Sequence, residues 1–86
     1  FPNPFNPVTN IRFDIPFTPL SFGEGLGVGL KIYDILGNEI TVLANGKLAP
    51  GTYEYTWDAS AFPSGVYFYR LTAGDFSNVN KMILLK

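Results

Sequence analysis

Residues 51–58 read GTYEYTWD, and this stretch decides the fold class. Tyr53, Tyr55 and Trp57 alternate with Thr, Glu and Thr. Because successive side chains of a β-strand point to opposite faces of the sheet, the three aromatic rings share one face. We predict that this face points inward, and that the segment is a strand with one buried side.

The same period-two alternation occurs elsewhere in the chain. Ile11, Phe13 and Ile15 alternate with Arg12 and Asp14 before Pro16, and Tyr67, Tyr69 and Leu71 share a face in VYFYRLTA. Further strands are predicted around KIYDI, over Glu39–Leu43 and from about Asn78 to Lys86. Turn signals separate these strands at residues 36–39, at Asn45-Gly46, at Pro50-Gly51 and at residues 63–65.

No stretch of the chain sustains a 3.6-residue period, so no helix is predicted. Six strands are indicated, and a seventh is placed either in the opening segment or around Leu20–Phe22. These patterns predict an all-β fold, an Ig-like antiparallel β-sandwich of about seven strands in two sheets. The final strand is predicted to be an edge strand that its lysines protect from pairing with other chains.

The chain length of 86 residues predicts one domain over residues 1–86. Residues 1–9 form a Pro/Asn-rich opening segment, and residues 16–29 form a glycine-rich loop insertion in which every second residue from Gly23 is glycine. The glycines do not complete a phosphate-binding G-x-G-x-x-G motif. Because the chain begins at Phe1 instead of Met, we expect it to be a module of a larger protein.

Composition argues against several functional classes. The net charge is −1 and the six Lys and Arg residues are scattered, which argues against a nucleic-acid surface. The longest aliphatic run, residues 82–85, is far shorter than the ~20 residues of a membrane-spanning helix. Without His or Cys the usual general bases, thiol nucleophiles and most transition-metal ligands are missing. We therefore predict no enzyme, no catalytic residue, no cofactor and no metal.

The aromatic residues leave one ligand class open. Trp and Tyr rings stack on the apolar faces of sugars, so an exposed aromatic face would favour carbohydrate binding. The strict alternation of Tyr53, Tyr55 and Trp57 favours instead a core shared between two sheets.

The order of sequence blocks is similar to one known family. The blocks are FPNPFNP, IRFDIP, KIYDILGNEI, GTYEYTWDA, SGVYFYRL and the terminal KMILLK. In this order, and over nearly the whole chain, they resemble the type A C-terminal sorting domain of the type IX secretion system. The resemblance implies a domain that directs an upstream cargo protein through the periplasm and the outer-membrane translocon of a gram-negative bacterium. A cell-surface sortase then removes the domain, or the domain is retained.

The resemblance also implies recognition residues for the translocon and the sortase. They are Pro2, Asn3, Pro4, Gly65, Tyr67, Lys81, Met82, Ile83, Leu84, Leu85 and Lys86. Each has a structural alternative, namely turn geometry at the prolines, a strand start and core position at Gly65 and Tyr67, and edge protection at the lysines. For residues 81–86 we favour recognition by strand addition, and for Gly65 and Tyr67 we favour the structural role.

A second function remains open. Ig-like modules with open strand edges also pack against other domains or join subunits by strand addition, including self-assembly. The alternative is therefore a structural module of an extracellular protein.

Overall fold

The computed structural model describes residues 7–16 and 25–85. Within them the chain forms strands and turns and no helix, so the all-β prediction is confirmed. The six strands are Val8–Ile15 (β1), Leu26–Asp34 (β2), Glu39–Leu48 (β3), Gly51–Asp58 (β4), Gly65–Ala73 (β5) and Phe76–Leu84 (β6). The predicted count of about seven is corrected to six for the described residues. Residues 1–6 and 20–22, where the seventh was placed, lie outside them.

The strands form two antiparallel sheets. β1 pairs with β4 along its whole length, from Val8 opposite Asp58 to Ile15 opposite Gly51. The other four strands form a sheet in the order β3-β2-β5-β6, so that β2 and β5 are central and β3 and β6 are edges. Two antiparallel sheets with a shared core are consistent with the predicted Ig-like sandwich.

The core lies between the two sheets and follows the period-two pattern of the sequence. Leu30 and Ile32 of β2, Ile11 of β1 and Met82 and Leu84 of β6 are completely or almost completely buried. Burial of a side chain of this size stabilises the folded state by about 1.5–3 kcal/mol relative to leaving it exposed. The alternation of buried and exposed positions therefore sets the inner face of every strand that contributes to the core.

Aromatic rings fill much of the space between the sheets. Phe13 stacks on Tyr53 and on Tyr55 with ring centroids 5.8 Å apart in both pairs. Trp57 is 4% exposed and makes an edge contact with Tyr67 at 5.3 Å. The predicted inward face of residues 53–57 is thus confirmed, although Tyr53 and Tyr55 are only half-buried.

Several predicted turn and loop positions lie in strands. The prediction of a turn at Asn45-Gly46 is wrong, because both residues belong to β3 and lie opposite Gly29 and Val28 of β2. β3 continues to Leu48 because β2 already offers it pairing partners from Leu26 onward. The turns at residues 36–39 and at Pro50-Gly51 are confirmed.

The predicted boundaries of two segments also change. β2 begins at Leu26, so the glycine-rich loop predicted over residues 16–29 does not extend past Gly25. Gly27 and Gly29 lie in the strand, where the Gly27 carbonyl accepts a hydrogen bond from the Gly74 amide at 2.9 Å. β1 begins at Val8, so the last two residues of the predicted opening segment 1–9 are also part of a strand. β6 begins at Phe76, two residues before the predicted start of the last strand.

The turn between β2 and β3 is organised by a single carboxylate. Asp34 Oδ1 accepts hydrogen bonds from the amides of Leu36 and Asn38, both at 2.9 Å, and Oδ2 accepts one from Asn38 Nδ2 at 3.3 Å. The hydrogen bond from the Asn38 amide, supported by the others, lowers the pKa of Asp34 below its ordinary value of 3.8. Gly37 has φ of +87°, a left-handed conformation that favours glycine.

We expect one buried hydroxyl group to lower the stability of the domain. Thr9 is buried in β1, and its Oγ1 has no hydrogen-bond partner among the described residues. We expect Thr9→Val, which keeps the shape of the side chain, to raise the free energy of unfolding by about 1–2 kcal/mol. Urea unfolding of the purified chain measures this change. Thr56→Val is the control, because Thr56 Oγ1 donates to Asn10 Oδ1 at 2.7 Å and its removal gives no such gain. A Thr9→Val variant no more stable than wild type would contradict the prediction.

The Asp34 turn predicts a pH-dependent contribution to stability. A carboxyl group whose pKa is lowered by folding stabilises the folded state above its unfolded pKa, and this stabilisation is lost as the pH falls through the folded pKa. We therefore expect Asp34→Ala to lower Tm at pH 7, and the difference from wild type to shrink below about pH 3.8. Thermal unfolding followed by circular dichroism across this pH range tests it. Asp75→Ala, in the turn at the opposite end of the sandwich, is the control. A difference in Tm that stays constant down to acid pH would contradict this role of the carboxylate.

Candidate functional site

β6 is both the last strand of the described chain and an edge strand. In the four-stranded sheet it is paired with β5 on one side and with no described strand on the other. Edge strands offer a row of backbone N–H and C=O groups to which another strand can add. The prediction that the terminal strand is an edge strand is therefore confirmed.

The side chains of β6 divide between the core and the surface. Met82 and Leu84 point into the core and are fully buried. On the outer face, Val79 is 55% exposed, Lys81 is exposed and Ile83 is half-buried. The inward residues hold the strand in place, while Val79 and Lys81 are exposed on its outer face.

The structure brings Gly65 and Tyr67 next to the terminal strand. Gly65 lies opposite Leu84 and Tyr67 lies opposite Met82 in the β5–β6 pairing. Gly65 has φ of +155°, a backbone conformation that favours glycine. A Cβ at this position would meet no other atom within 4 Å, so steric crowding does not require glycine here.

Tyr67 is a core residue with a satisfied hydroxyl group. Its Oη donates to the Pro63 carbonyl oxygen at 2.6 Å, and its ring packs against Trp57 and Phe62. Burial, and to a smaller extent the negative charge of Asp34, raises the pKa of Tyr67. The hydroxyl therefore keeps its proton at neutral pH and remains a donor. These contacts anchor the start of β5 beside the terminal strand.

Of the remaining predicted recognition residues, Leu85 follows β6 and is 51% exposed, whereas Pro2, Asn3, Pro4 and Lys86 lie outside the described residues. The nearest described residue of the opening segment is Pro7, whose carbonyl oxygen accepts a hydrogen bond from the Ala59 amide at 2.9 Å. β1 starts opposite the end of β4, and β6 ends opposite the start of β5. Both ends of the described chain therefore lie at the same end of the sandwich.

The β2–β3 turn adds surface residues that were not predicted as functional. Ile35 is 67% exposed and Leu36 is 83% exposed at its apex. Beside them the sheet has a concavity of about 250 Å³, lined in part by Tyr33, Phe68 and Arg70. The sequence signal for this surface is two adjacent aliphatic residues inside a turn, where polar residues are usual.

Other kinds of site find little support among the described residues. Trp57 is buried and the tyrosines of β4 are half-buried, which disfavours an aromatic platform for sugars. Residues 7–16 and 25–85 contain no group of three or more His, Cys, Asp or Glu side chains that could hold a metal ion. The same residues contain no helix that is long and apolar enough to cross a membrane.

Comparison with known proteins identifies the family. The family described as the secretion system C-terminal sorting domain matches residues 1–85. Neither a curated protein nor a solved structure matches the chain significantly. The family match covers nearly the whole chain and agrees with the order of the sequence blocks, and this family is of a non-enzymatic kind. The chain therefore belongs to the C-terminal sorting domains of the type IX secretion system.

Proposed function

We propose that this domain directs an upstream cargo protein through the outer-membrane translocon of the type IX system and is then removed by a cell-surface sortase or retained. Family membership supports a role as a C-terminal sorting signal of a secreted or cell-surface protein. The route through the periplasm, the translocon and the sortase are the further steps of the proposal.

This proposal rests on the position of β6, which is both the last strand of the described chain and an edge of the four-stranded sheet. The strand contributes Met82 and Leu84 to the core, yet no described strand pairs with its second edge, and its outer face carries the exposed side chains of Val79 and Lys81. In strand addition, main-chain hydrogen bonds supply affinity and the alternate side chains supply specificity. The outward residues of β6 include Lys81 and Ile83, which belong to the recognition segment 81–86. We infer that the signal is presented by the folded domain.

The opening of the domain has a separate proposed role. Pro2, Asn3 and Pro4 would hold the junction with the cargo extended, because proline disfavours helix and restricts the residue before it. The described chain starts and finishes at one end of the sandwich. The cargo junction and the terminal strand would then face the same part of the export machinery.

The open edges also favour a second candidate function. β3 is the other edge of the four-stranded sheet, and both strands of the two-stranded sheet have an edge without a described partner. A retained domain with several open edges could join neighbouring subunits by strand addition. This structural role predicts a domain that stays uncleaved in the mature surface protein.

A surface-display assay tests the sorting proposal. A fluorescent reporter with its own inner-membrane signal carries the 86 residues at its C-terminus in a host with a working type IX system. We expect the reporter outside the cell for the complete domain, and in the periplasm for a domain lacking Met82–Lys86. Retention of both in the periplasm would contradict the sorting proposal and favour the structural module.

Two charge variants separate recognition from folding, because loss of residues 82–86 also removes core side chains. Lys81→Glu changes an exposed residue of β6, and Lys47→Glu makes the same change on β3, the other edge of the sheet. We expect Lys81→Glu to reduce display several-fold at unchanged Tm, and Lys47→Glu to leave it unchanged. Equal display of the two variants would contradict a recognition role for the side chain of Lys81.

A further inference from the structure

The outer face of the four-stranded sheet, the side turned away from the core, carries most of the positive charge of the domain. Its charged residues are the basic Lys31, Lys47, Arg70 and Lys81 and the acidic Glu39. The positions follow from strand alternation, because their neighbours Leu30, Ile32, Tyr69 and Met82 point into the core. Lys31 Nζ lies 3.3 Å from Glu39 Oε1, so the charge of Lys31 is paired.

The opposite surface of the sandwich has the reverse charge. The outer face of the β1–β4 sheet carries Arg12, Asp14, Glu54 and Asp58. With one basic residue against three acidic ones, this face is negative, whereas four basic residues against one acidic residue make the other face positive. The charged residues on the outer faces of the two sheets are thus largely separated by sign. An occupant of the positive face would carry negative charge.

The positive face ends in an exposed apolar apex. Ile35 and Leu36 project from the β2–β3 turn, which the Asp34 carboxylate holds in one conformation through its hydrogen bonds to the turn amides. Ile35 lines the same concavity as Arg70, so the apex and a basic side chain are neighbours. The Asp34 carboxylate also lines this concavity, where it accepts hydrogen bonds from the turn amides. Lys81 lies opposite Phe68 in the β5–β6 pairing and adds a second positive charge nearby.

We propose that this surface binds peripherally to an anionic lipid surface. Ile35 and Leu36 enter the boundary between headgroups and acyl chains, Tyr33 lies at the level of the headgroups, and Arg70 and Lys81 contact lipid phosphates. Interfacial binding strengthens with buried apolar area and with electrostatic attraction to anionic lipids, and tyrosine is enriched at membrane interfaces. The proposal goes beyond the sorting function and requires no component of the secretion system.

The shape of the surface favours lipid over an acidic protein. The apolar side chains project from a turn, and the concavity beside them, about 250 Å³, is smaller than the pockets that usually enclose a ligand. A projecting aliphatic pair flanked by cations suits insertion into a fluid interface. Docking of a protein in this way would require a matching cavity in that protein.

Vesicle sedimentation of the 86-residue chain tests the proposal. The probes are vesicles of phosphatidylcholine alone and vesicles of phosphatidylcholine with phosphatidylglycerol. We expect binding to the anionic vesicles that weakens with added salt, and little binding to the neutral ones. Arg70→Gln should weaken binding about fivefold, the effect of one basic residue near a charged membrane surface. Leu36→Ser should weaken it about tenfold, because a large aliphatic side chain no longer leaves water.

Matched controls lie elsewhere on the domain. Arg12→Gln removes a positive charge from the opposite sheet, and Phe76→Ser removes an exposed apolar side chain from the opposite end of the sandwich. Both should bind like wild type, and circular dichroism confirms that each variant is folded. No binding to anionic vesicles, or equal losses in controls and test variants, would overturn the proposal. If vesicles do not bind but Leu36→Ser abolishes surface display, the surface belongs to an acidic protein partner instead, and the lipid proposal is wrong.

Discussion

Burial of the inner face of β2 is the constraint on which the rest of the domain depends. Leu30 and Ile32 are completely buried, and β2 is the strand that pairs with both β3 and β5. A one-residue slip in its register would turn these side chains to the solvent, so the register is strongly specified. Once β2 is fixed, the pairing of β5 and then of β6 determines which residues of the terminal strand face the core and which face a partner.

In the proposed function, this dependence links the stability of the domain to the recognition of its terminal strand. A signal carried by a flexible tail would be independent of the fold, but Met82 and Leu84 are part of the core and lie beside Lys81 and Ile83 on the same strand. The export machinery would therefore meet the recognition segment in its proper geometry only on a folded domain. The positive outer face is set by the same register, so the proposed contact with lipid has the same structural origin as the proposed contact with the translocon.

The alternation of apolar and polar residues predicts the positions of the strands better than the residues at which they begin and end. Alternation at Ile11–Ile15, Tyr53–Trp57 and Tyr67–Leu71 is a local signal, and those inward faces agree with the structure. Glycine was misleading at Gly27, Gly29 and Gly46, because its place in a strand or in a turn depends on pairing with residues far along the chain. The order of the strands in a sheet also depends on pairing between residues that are far apart in the chain, as between β2 and β5. For the candidate site, the edge position of β6 was predicted, whereas the apex at Ile35 and Leu36 was not, since its exposure becomes visible only when the turn is placed on the sheet.

In the proposed function, β6 is recognised while it is paired with β5, and a reversible disulfide between the two strands tests this most directly. Val66 and Ile83 lie opposite each other on the outer face, at a separation that suits a disulfide, and the chain has no cysteine of its own. Reporters carrying Val66→Cys with Ile83→Cys, or the two serine substitutions as the control, are compared for surface display after oxidation in the periplasm is verified. Equal display of the locked domain and the control is the result we predict. Periplasmic retention of the locked domain alone would show that the strand must leave the sheet to be recognised.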